Sequence, residues 1–478
     1  MSRYDTELIY ERTRARCSRA EEREEMSLPA SDLNKKADGR TTMELGKVLP
    51  LTAEVKDDHL FIGGCDMVEV AKEFGTALYV FDQADLEARM DEYVQSFKKY
   101  YGEKAQVAYA SKAFQNKAIV KLALEHGMCL DVSGGGELAV ALAAGFPAKR
   151  VIVHGNNKTS QELREAIEAG VGCIVVDSRI ELGRISEIAQ EMGVVQDVYL
   201  RITPGVEADT HEFIRTGCED SKFGFTMRED FAFKCVKTAI ETPGVRLTGL
   251  HCHIGSQIFA LHSFREAIEV MIQFIKRIND EYGYEIEGLD LGGGLGIAYV
   301  AEEEPPTIES FAKLTCTAVK ELCAEYGVKE PRIAVEPGRS IAATPGVTLY
   351  TVGILKTLPG IRNIVAIDGG MSDNIRTALY GSDYEPVIAN KAGQPRTKVV
   401  TLVGKHCESG DAVAANASIQ DPDLGDIVCM FGTGAYCHSM SSRYNGQTRP
   451  GIVFVKDGQA KLVTRRESYA DLMACDLD

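Results

Sequence analysis

The sequence contains no Cys-x-x-Cys pair, no apolar run of membrane-spanning length and no surplus of positive charge, and each absence removes a class of function. Its 13 cysteines are odd in number and scattered. That usage argues against a disulfide framework or a paired-thiolate zinc site and suits a reduced compartment. No stretch approaches the roughly eighteen apolar residues of a membrane helix, and the first residues lack the apolar core of a secretory signal. A cytoplasmic location with no membrane partner is therefore expected. Lys and Arg total 53 against 70 Asp and Glu, a formal charge of −17. This balance repels phosphate backbones and anionic bilayers, so no nucleic-acid partner is expected either. Histidine is scarce at nine residues, which limits any metal centre built on imidazoles.

What the chain does have is length and core-forming material: 478 residues, 45% of them apolar, enough for two domains. Residues 1–45 differ in texture from the rest, dense in charge from Arg12 to Glu25 and then rich in Pro, Ser, Asp and Gly. They read as a poorly ordered tail; the acidic residues argue against a transit peptide. From Gly46, strands are expected at Leu49–Val55, Leu60–Ile62 and Ala77–Phe81, with a helix at Met67–Phe74.

A regular alternation follows. Short β-branched runs occur at Gln106–Ala110, Met128–Val132, Val151–Gly155, Cys173–Asp177, Val198–Thr203, Leu247–Ile254, Gly288–Leu291 and Arg332–Val335. Segments of helical period, such as Gln161–Ala169, Ile180–Met192 and Phe264–Tyr282, separate most of them. Eight such units over about 250 residues predict a (β/α)8 barrel with its chemistry at the C-terminal strand ends. The long Pro204–Phe225 stretch after the fifth strand reads as a functional loop. After Arg339 strands dominate: Val347–Thr357, Asn363–Asp368, Lys398–Val403, Asp426–Phe431 and a Gly451–Val463 hairpin turning at Asp457-Gly458. The domains are thus expected at 1–45 (tail), 46–82 (strands joining the β domain), 83–341 (barrel) and 342–478 (C-terminal β-sandwich or β-barrel domain).

Residues able to do chemistry fall at or just past the barrel strand ends: Lys112, Asp131, His154, Asp177, His253, Gly292-Gly293-Gly294 and Glu336. Taken singly, a lysine there is more often a solvated charge, and an aspartate or histidine more often a helix cap. A glycine triplet can be a mere turn or a phosphate cradle, and Gly134–Gly136 competes with Gly292–Gly294 for that part. His251 and His253, two apart on a strand, could be metal ligands of a hydrolase. That reading needs further histidines at later strand ends, which are missing, so no metal is expected.

Six motifs then occur in order: Tyr109-Ala110-Ser111-Lys112-Ala113, Leu250-His251-Cys252-His253-Ile254-Gly255-Ser256-Gln257, Leu289-Asp290-Leu291-Gly292-Gly293-Gly294, Glu336-Pro337-Gly338-Arg339, Cys407-Glu408-Ser409-Gly410-Asp411 and Gly434-Ala435-Tyr436. With them, residues 46–478 resemble the alanine-racemase-like (fold type III) pyridoxal-phosphate decarboxylases. The resemblance implies pyridoxal 5'-phosphate held covalently by Lys112. It also implies Glu336 at the pyridine nitrogen, His253 stacked on the ring, Ser256 with Gly293 and Gly294 at the phosphate, and Tyr436 closing the site.

By the same resemblance Arg339, Arg376 and Tyr380 recognise a distal carboxylate, Glu408 a distal ammonium, and Cys407 supplies a proton. The implied substrate is meso-diaminopimelate, with lysine as product. The rivals are another basic amino acid (ornithine, lysine or arginine), the metal hydrolase, and a non-catalytic vitamin carrier, which would need neither Cys407, Glu408 nor Arg376. A head-to-tail homodimer with shared sites is implied as well. Two departures from the family pattern stand out: Gly134 replaces a usual serine, and Thr377 replaces a common proline, which should loosen its segment slightly.

Overall fold

A computed structural model describes residues 35–206 and 221–477. Three short strands, β1 (Glu54–Lys56), β2 (His59–Ile62) and β3 (Cys65–Asp66), open the chain, followed by a helix at Met67–Phe74 and β4 (Leu78–Asp82). Next come the strands β5 (Ala105–Ala110), β6 (Cys129–Val132), β7 (Val151–Val153), β8 (Cys173–Val176), β9 (Gln196–Thr203), β10 (Phe225–Thr226), β11 (Val245–His251), β12 (Gly288–Asp290) and β13 (Arg332–Val335).

All but β10 form one closed parallel ring in the order β5-β6-β7-β8-β9-β11-β12-β13, with β13 returning to β5 and β8 pairing β9. This is the predicted eight-stranded barrel. Its interior is shaped by complementary volumes: the Tyr199 side chain of β9 occupies the space that side chains at Gly249 and Gly288 would need, a Cβ at Gly249 lying 2.5 Å from the ring and one at Gly288 2.0 Å from the hydroxyl oxygen. The short β10 adds a parallel pair to the end of β9. It closes the expected long loop, of which 207–220 lies outside the described residues.

The second domain comprises β14 (Gly346–Leu358), β15 (Arg362–Ile367), β16 (Pro386–Ile388), β17 (Lys398–Val403), β18 (Ala412–Ile419), β19 (Ile427–Met430), β20 (Gly451–Lys456) and β21 (Gln459–Thr464). They form one sheet in the order β18-β17-β15-β14-β4-β20-β21, with β19 pairing both β14 and β16. The β20–β21 turn sits at Asp457-Gly458, both at positive φ, as the sequence predicts. β16 and β18 escape the sequence reading because one is three residues long and the other is rich in alanine, a weak strand former.

At the N-terminal side the strands of 46–82 join the β domain as expected, though by two routes, while the expected loose tail needs correction. Of 46–82, β4 alone enters the large sheet, antiparallel to β14 and parallel to β20. β1–β3 make their own three-stranded sheet, which packs Leu60 and Ile62 against Val347, Val453 and Val455. The tail, expected to be loose through residue 45, is packed in its described part. Arg396, buried to 1%, ion-pairs with Asp38 and Glu385, and a kinked 3-10 segment at Thr42–Val48 buries Leu45 and Val48. The charge that reads as solvated texture instead satisfies a buried guanidinium. Residues 1–34 of the tail lie outside the described residues. Among the described residues no helix is long and apolar enough to cross a membrane.

Candidate functional site

Lys112 follows β5 in a single 3-10 turn, Ser111–Ala113. Its ammonium donates to Oδ2 of Asp131, 2.6 Å away on the neighbouring β6. Burial alone would pull the lysine pKa down, but Asp131, with Glu336 behind it, outweighs this and raises it. Asp131 itself is fully buried and, among the described residues, its Oδ1 has no hydrogen-bond partner.

Glu336 lies directly past β13, 5% exposed. Its Oε2 is hydrogen-bonded to His251 Nε2 at 3.2 Å, while Oε1 is 2.5 Å from His154 Nε2 but outside hydrogen-bond angles. Burial would raise this carboxyl, yet the two imidazoles hold it well below the ordinary range. His251 is lowered to about 4, chiefly by burial, so it meets Glu336 as a neutral donor. Asp290, wholly buried at the end of β12, is pushed the opposite way by burial and by Glu336. One of two neighbouring carboxyls thus carries the charge and the other a proton.

His154, His251 and Glu336 could together ligate a divalent metal, their donor atoms lying within 4.8 Å of one another. The metal pair weighed from the sequence was different, His251 with His253, and the structure separates those two. β11 ends at His251, the strand alternation stops there, and His253 turns away so that its Nδ1 accepts the amide of Gly293 at 3.2 Å. Burial, Arg201 and Lys112 push the His253 pKa well down, leaving a neutral ring.

The Gly292–Gly294 turn threads between the His253–Ser256 loop and the Glu336 turn. A Cβ at Gly293 would meet the Glu336 carbonyl oxygen at 2.2 Å, and one at Gly294, where φ is +118°, would meet the Gly255 carbonyl oxygen at 2.4 Å. Glycine is therefore required there by close backbone approach, and the Gly293 amide expected at the phosphate is here donated to His253. The competing triplet begins a helix instead, with Gly134 as its N-cap residue.

Arg339, 4% exposed, donates from Nε and Nη2 to Oγ of Ser256 at 3.2 and 2.9 Å, and from Nη1 to the Tyr299 hydroxyl at 2.5 Å. Arg376, 6% exposed, donates from Nε to the Tyr384 hydroxyl at 2.9 Å. Its guanidinium carbon stands 5.3 Å from the Tyr380 ring centroid and 5.6 Å from that of Tyr436. Tyr436 arrives from the β domain: its backbone, at φ +63°, donates to the Ala113 carbonyl at 2.7 Å, and its ring lies 4.8 Å from the Arg339 guanidinium. Lys112, His253, Ser256, Gly293, Gly294, Glu336, Arg339, Arg376, Tyr380 and Tyr436 are thus brought into one connected region that spans both domains.

Cys407 and Glu408 are not part of it. They sit exposed on the β17–β18 loop, where the Cys407 amide donates to Asn445 Oδ1 at 2.8 Å. Among the described residues no hydrogen bond or ion pair ties either side chain to Lys112, Glu336 or the arginines. Thr377 does not loosen its segment: its Oγ1 lies 2.9 Å from the carbonyls of both Ser382 and Val413. The sequence reading missed the link of His154 and His251 to Glu336, and it missed Arg201, which is 8% exposed and 4.2 Å over the Phe223 ring. Inward alternation at the strand ends is the signal that could have found them. No spacing signal marks Tyr299 or Tyr384.

Pyridoxal phosphate fits this donor set. An amine stands at one end beside a buried carboxylate, a second carboxylate keeps one oxygen with spare accepting capacity for a ring nitrogen, and a tight glycine turn lies beside a serine and an arginine. Comparison with known proteins agrees. Residues 83–343 match the family model "Pyridoxal-dependent decarboxylase, pyridoxal binding domain". The chain is 46% identical over 419 residues to the diaminopimelate decarboxylase of Bacillus subtilis, covering 88% of this chain and 95% of that one. It is 45% identical over 426 residues to the enzyme of that name from Mycobacterium bovis, covering 87% and 94%. Among solved structures, diaminopimelate decarboxylase from M. jannaschii in complex with L-lysine superposes with a TM-score of 0.84 at 36% identity, covering 90% of this chain and 98% of that one.

Proposed function

Because this chain belongs to the pyridoxal-dependent decarboxylases and is a carboxy-lyase that uses pyridoxal 5'-phosphate, we propose that it converts meso-diaminopimelate to lysine and carbon dioxide. The observation that carries the choice of substrate is the state of the two arginines. Both guanidiniums are buried, and among the described residues neither has a carboxylate partner. A buried cation without a counter-ion is costly, and a second carboxylate on the substrate supplies one. Lysine, ornithine and arginine carry no such group. The relatives' shared name, and the L-lysine bound to the M. jannaschii enzyme, point the same way.

When bound, pyridoxal phosphate supplies an electron sink conjugated to the carbon that loses its carboxylate. The remaining work belongs to the chain. Lys112 would hold the cofactor through Nζ, and Asp131 orients that amine. Glu336 would keep a proton on the ring nitrogen, and is itself kept ionised by the imidazole N–H of His251 and by His154. His253, as a neutral imidazole, would pack on the ring, while Ser256, Gly294 and the Gly293 amide, once released from His253 Nδ1, would hold the phosphate. Arg339, Arg376, Tyr380 and Tyr436 bind the distal end of the substrate, and burial of this end excludes water.

Cys407 moves a proton from Sγ to the carbon that has lost its carboxylate, and Glu408 holds the distal ammonium. Their exposure on this chain, away from Lys112, accords with action across a head-to-tail homodimer. We assign cofactor binding to 83–341 and the site's lid to the β domain of 342–478 with its 46–82 strands, and we place the enzyme in the cytoplasm. Steady-state rates on meso-diaminopimelate, lysine, ornithine and arginine test the reading: diaminopimelate should be preferred, and a higher kcat/KM on ornithine would overturn it.

A further inference from the structure

Each of the two substrate-end arginines is held by a different tyrosine, and the two tyrosines touch. Tyr299 and Tyr384 stand edge to face, with ring centroids 5.3 Å apart and planes at 78°. Tyr299 is 7% exposed and Tyr384 3%. The Tyr299 hydroxyl accepts from Nη1 of Arg339, and the Tyr384 hydroxyl accepts from Nε of Arg376. The second bond is informative for what it leaves over. With Nε taken by Tyr384, no hydrogen bond from the described residues reaches the two terminal nitrogens of Arg376. Those nitrogens form the edge of the fork that binds a carboxylate bidentately. Arg339 is constrained on three nitrogens, two of them by Ser256.

We propose that Tyr299 and Tyr384 are positioning residues that fix the rotamers and mutual spacing of Arg339 and Arg376, and so set the enzyme's discrimination for a substrate with a distal carboxylate. This rests on the diaminopimelate reading above. The physical logic is preorganisation. A guanidinium on a flexible stem loses rotamer freedom when it binds an anion, and a side chain already locked by a buried acceptor has met that cost in folding. The aromatic contact makes the lock shared, because neither ring can rotate without meeting the other. Tyr299 is itself held at its backbone, where its amide donates to Glu303 Oε2 at 2.7 Å. Tyr384 is backed by Cys437, with Sγ 3.8 Å from the hydroxyl. Arg339 also donates to Ser256, so the Tyr299 lock is tied to the side chain assigned to the phosphate.

The test uses the holoenzyme and the variants Tyr384→Phe and Tyr299→Phe, which remove one hydroxyl each and keep the rings. The expected result is a rise of about tenfold or more in KM for meso-diaminopimelate, the scale of one hydrogen bond to a charged group. Changes in kcat should stay within about threefold, and cofactor content and melting temperature should match the parent. The ratio of kcat/KM for diaminopimelate over lysine should fall, since lysine lacks the group that the arginines read. In an Arg376→Lys background, Tyr384→Phe should add nothing further, because the bonded Nε is gone.

Equal losses on both substrates, or undiminished effects of Tyr384→Phe in the Arg376→Lys background, would show a merely structural role and overturn the proposal. If one variant fails to fold, the other carries the same test. A parent enzyme that prefers lysine to diaminopimelate would overturn the substrate reading and this proposal together. A parent that prefers diaminopimelate alongside unaffected variants overturns this proposal alone.

Discussion

The ammonium of Lys112 lies 2.6 Å from Oδ2 of Asp131, a carboxylate with no exposed surface, so the amine proposed to bond the cofactor rests in the apoprotein as a cation. Only the neutral amine attacks an aldehyde. Lys112→Ala should therefore abolish both the yellow colour and the activity. Asp131→Asn should speed the return of colour when the apoprotein is mixed with pyridoxal phosphate at neutral pH, because burial then lowers the lysine pKa unopposed by Asp131. The gain should be about tenfold for each pKa unit released, read by absorbance after stopped-flow mixing. The sign with pH follows. The raised lysine pKa gives the apoprotein stability that is complete below the ordinary lysine value, and that stability is lost as pH climbs through the raised one.

Glu336 is the next group whose charge state enters the proposed chemistry. Two imidazoles hold it ionised in spite of burial, and Gln keeps its shape while removing that charge. Glu336→Gln should bind cofactor, since Lys112 is untouched, yet lose activity by about a hundredfold or more, the scale of removing one preorganised electrostatic group from a water-excluded site. Cofactor absorbance and kcat on the same preparation check this. Equal loss of colour and kcat would mean that Glu336 serves binding alone.

Acid sensitivity has a separate source. His251 is lowered to about 4 by burial and His438 to about 4 by burial with help from Arg449, while His253 is pushed further down. An unfolded histidine protonates near pH 6.5. Between that value and about 4 the unfolded chain binds more protons than the folded one, so stability must fall as pH falls through this window. His438 stands edge-on to Tyr79 and Phe114, outside the region around Lys112. His438→Gln should flatten the acid limb of melting temperature against pH. A slope identical to the parent's would remove His438 from this account.

How much of this was legible in the sequence follows from the range of the interactions involved. Strand and helix periods are local, so the eight barrel strands and the Met67–Phe74 helix could be read directly, as could the Asp457-Gly458 turn. Lys112, His253 and Glu336 lie in motifs whose order along the chain marked them as candidates, and the structure brings them into one region. The rest depended on distance in space. Nothing local indicates that Tyr384 would reach Arg376 or that Tyr299 would reach Arg339, because the partners come from separate turns and, for Tyr299 and Tyr384, from different domains. The expected loose tail failed for the same reason: Asp38 finds Arg396 across 358 residues of chain. Thr377 shows the limit of reasoning by residue type, since losing a proline need not loosen a segment when a hydroxyl takes over the tether.

The shared-site proposal rests on Cys407 and Glu408, which are exposed on one chain although the proposed reaction needs them beside the cofactor. If each site combines Lys112 of one subunit with Cys407 of its neighbour in a closed twofold dimer, an inactive variant and a slowed one can rescue one another. Lys112→Ala and Cys407→Ala homodimers each spoil both sites. In a mixed dimer both lesions fall in the same site and the other is intact. Random reassortment makes half of the dimers mixed with one working site of two, so activity should recover to about a quarter of the parent's. Assays after mixing, subunit exchange and cofactor addition read this directly. Cys407→Ala alone should keep the yellow colour while slowing turnover, since a thiol that donates a proton has no part in holding the ring. No recovery despite proven subunit exchange would place Cys407 in its own chain's site.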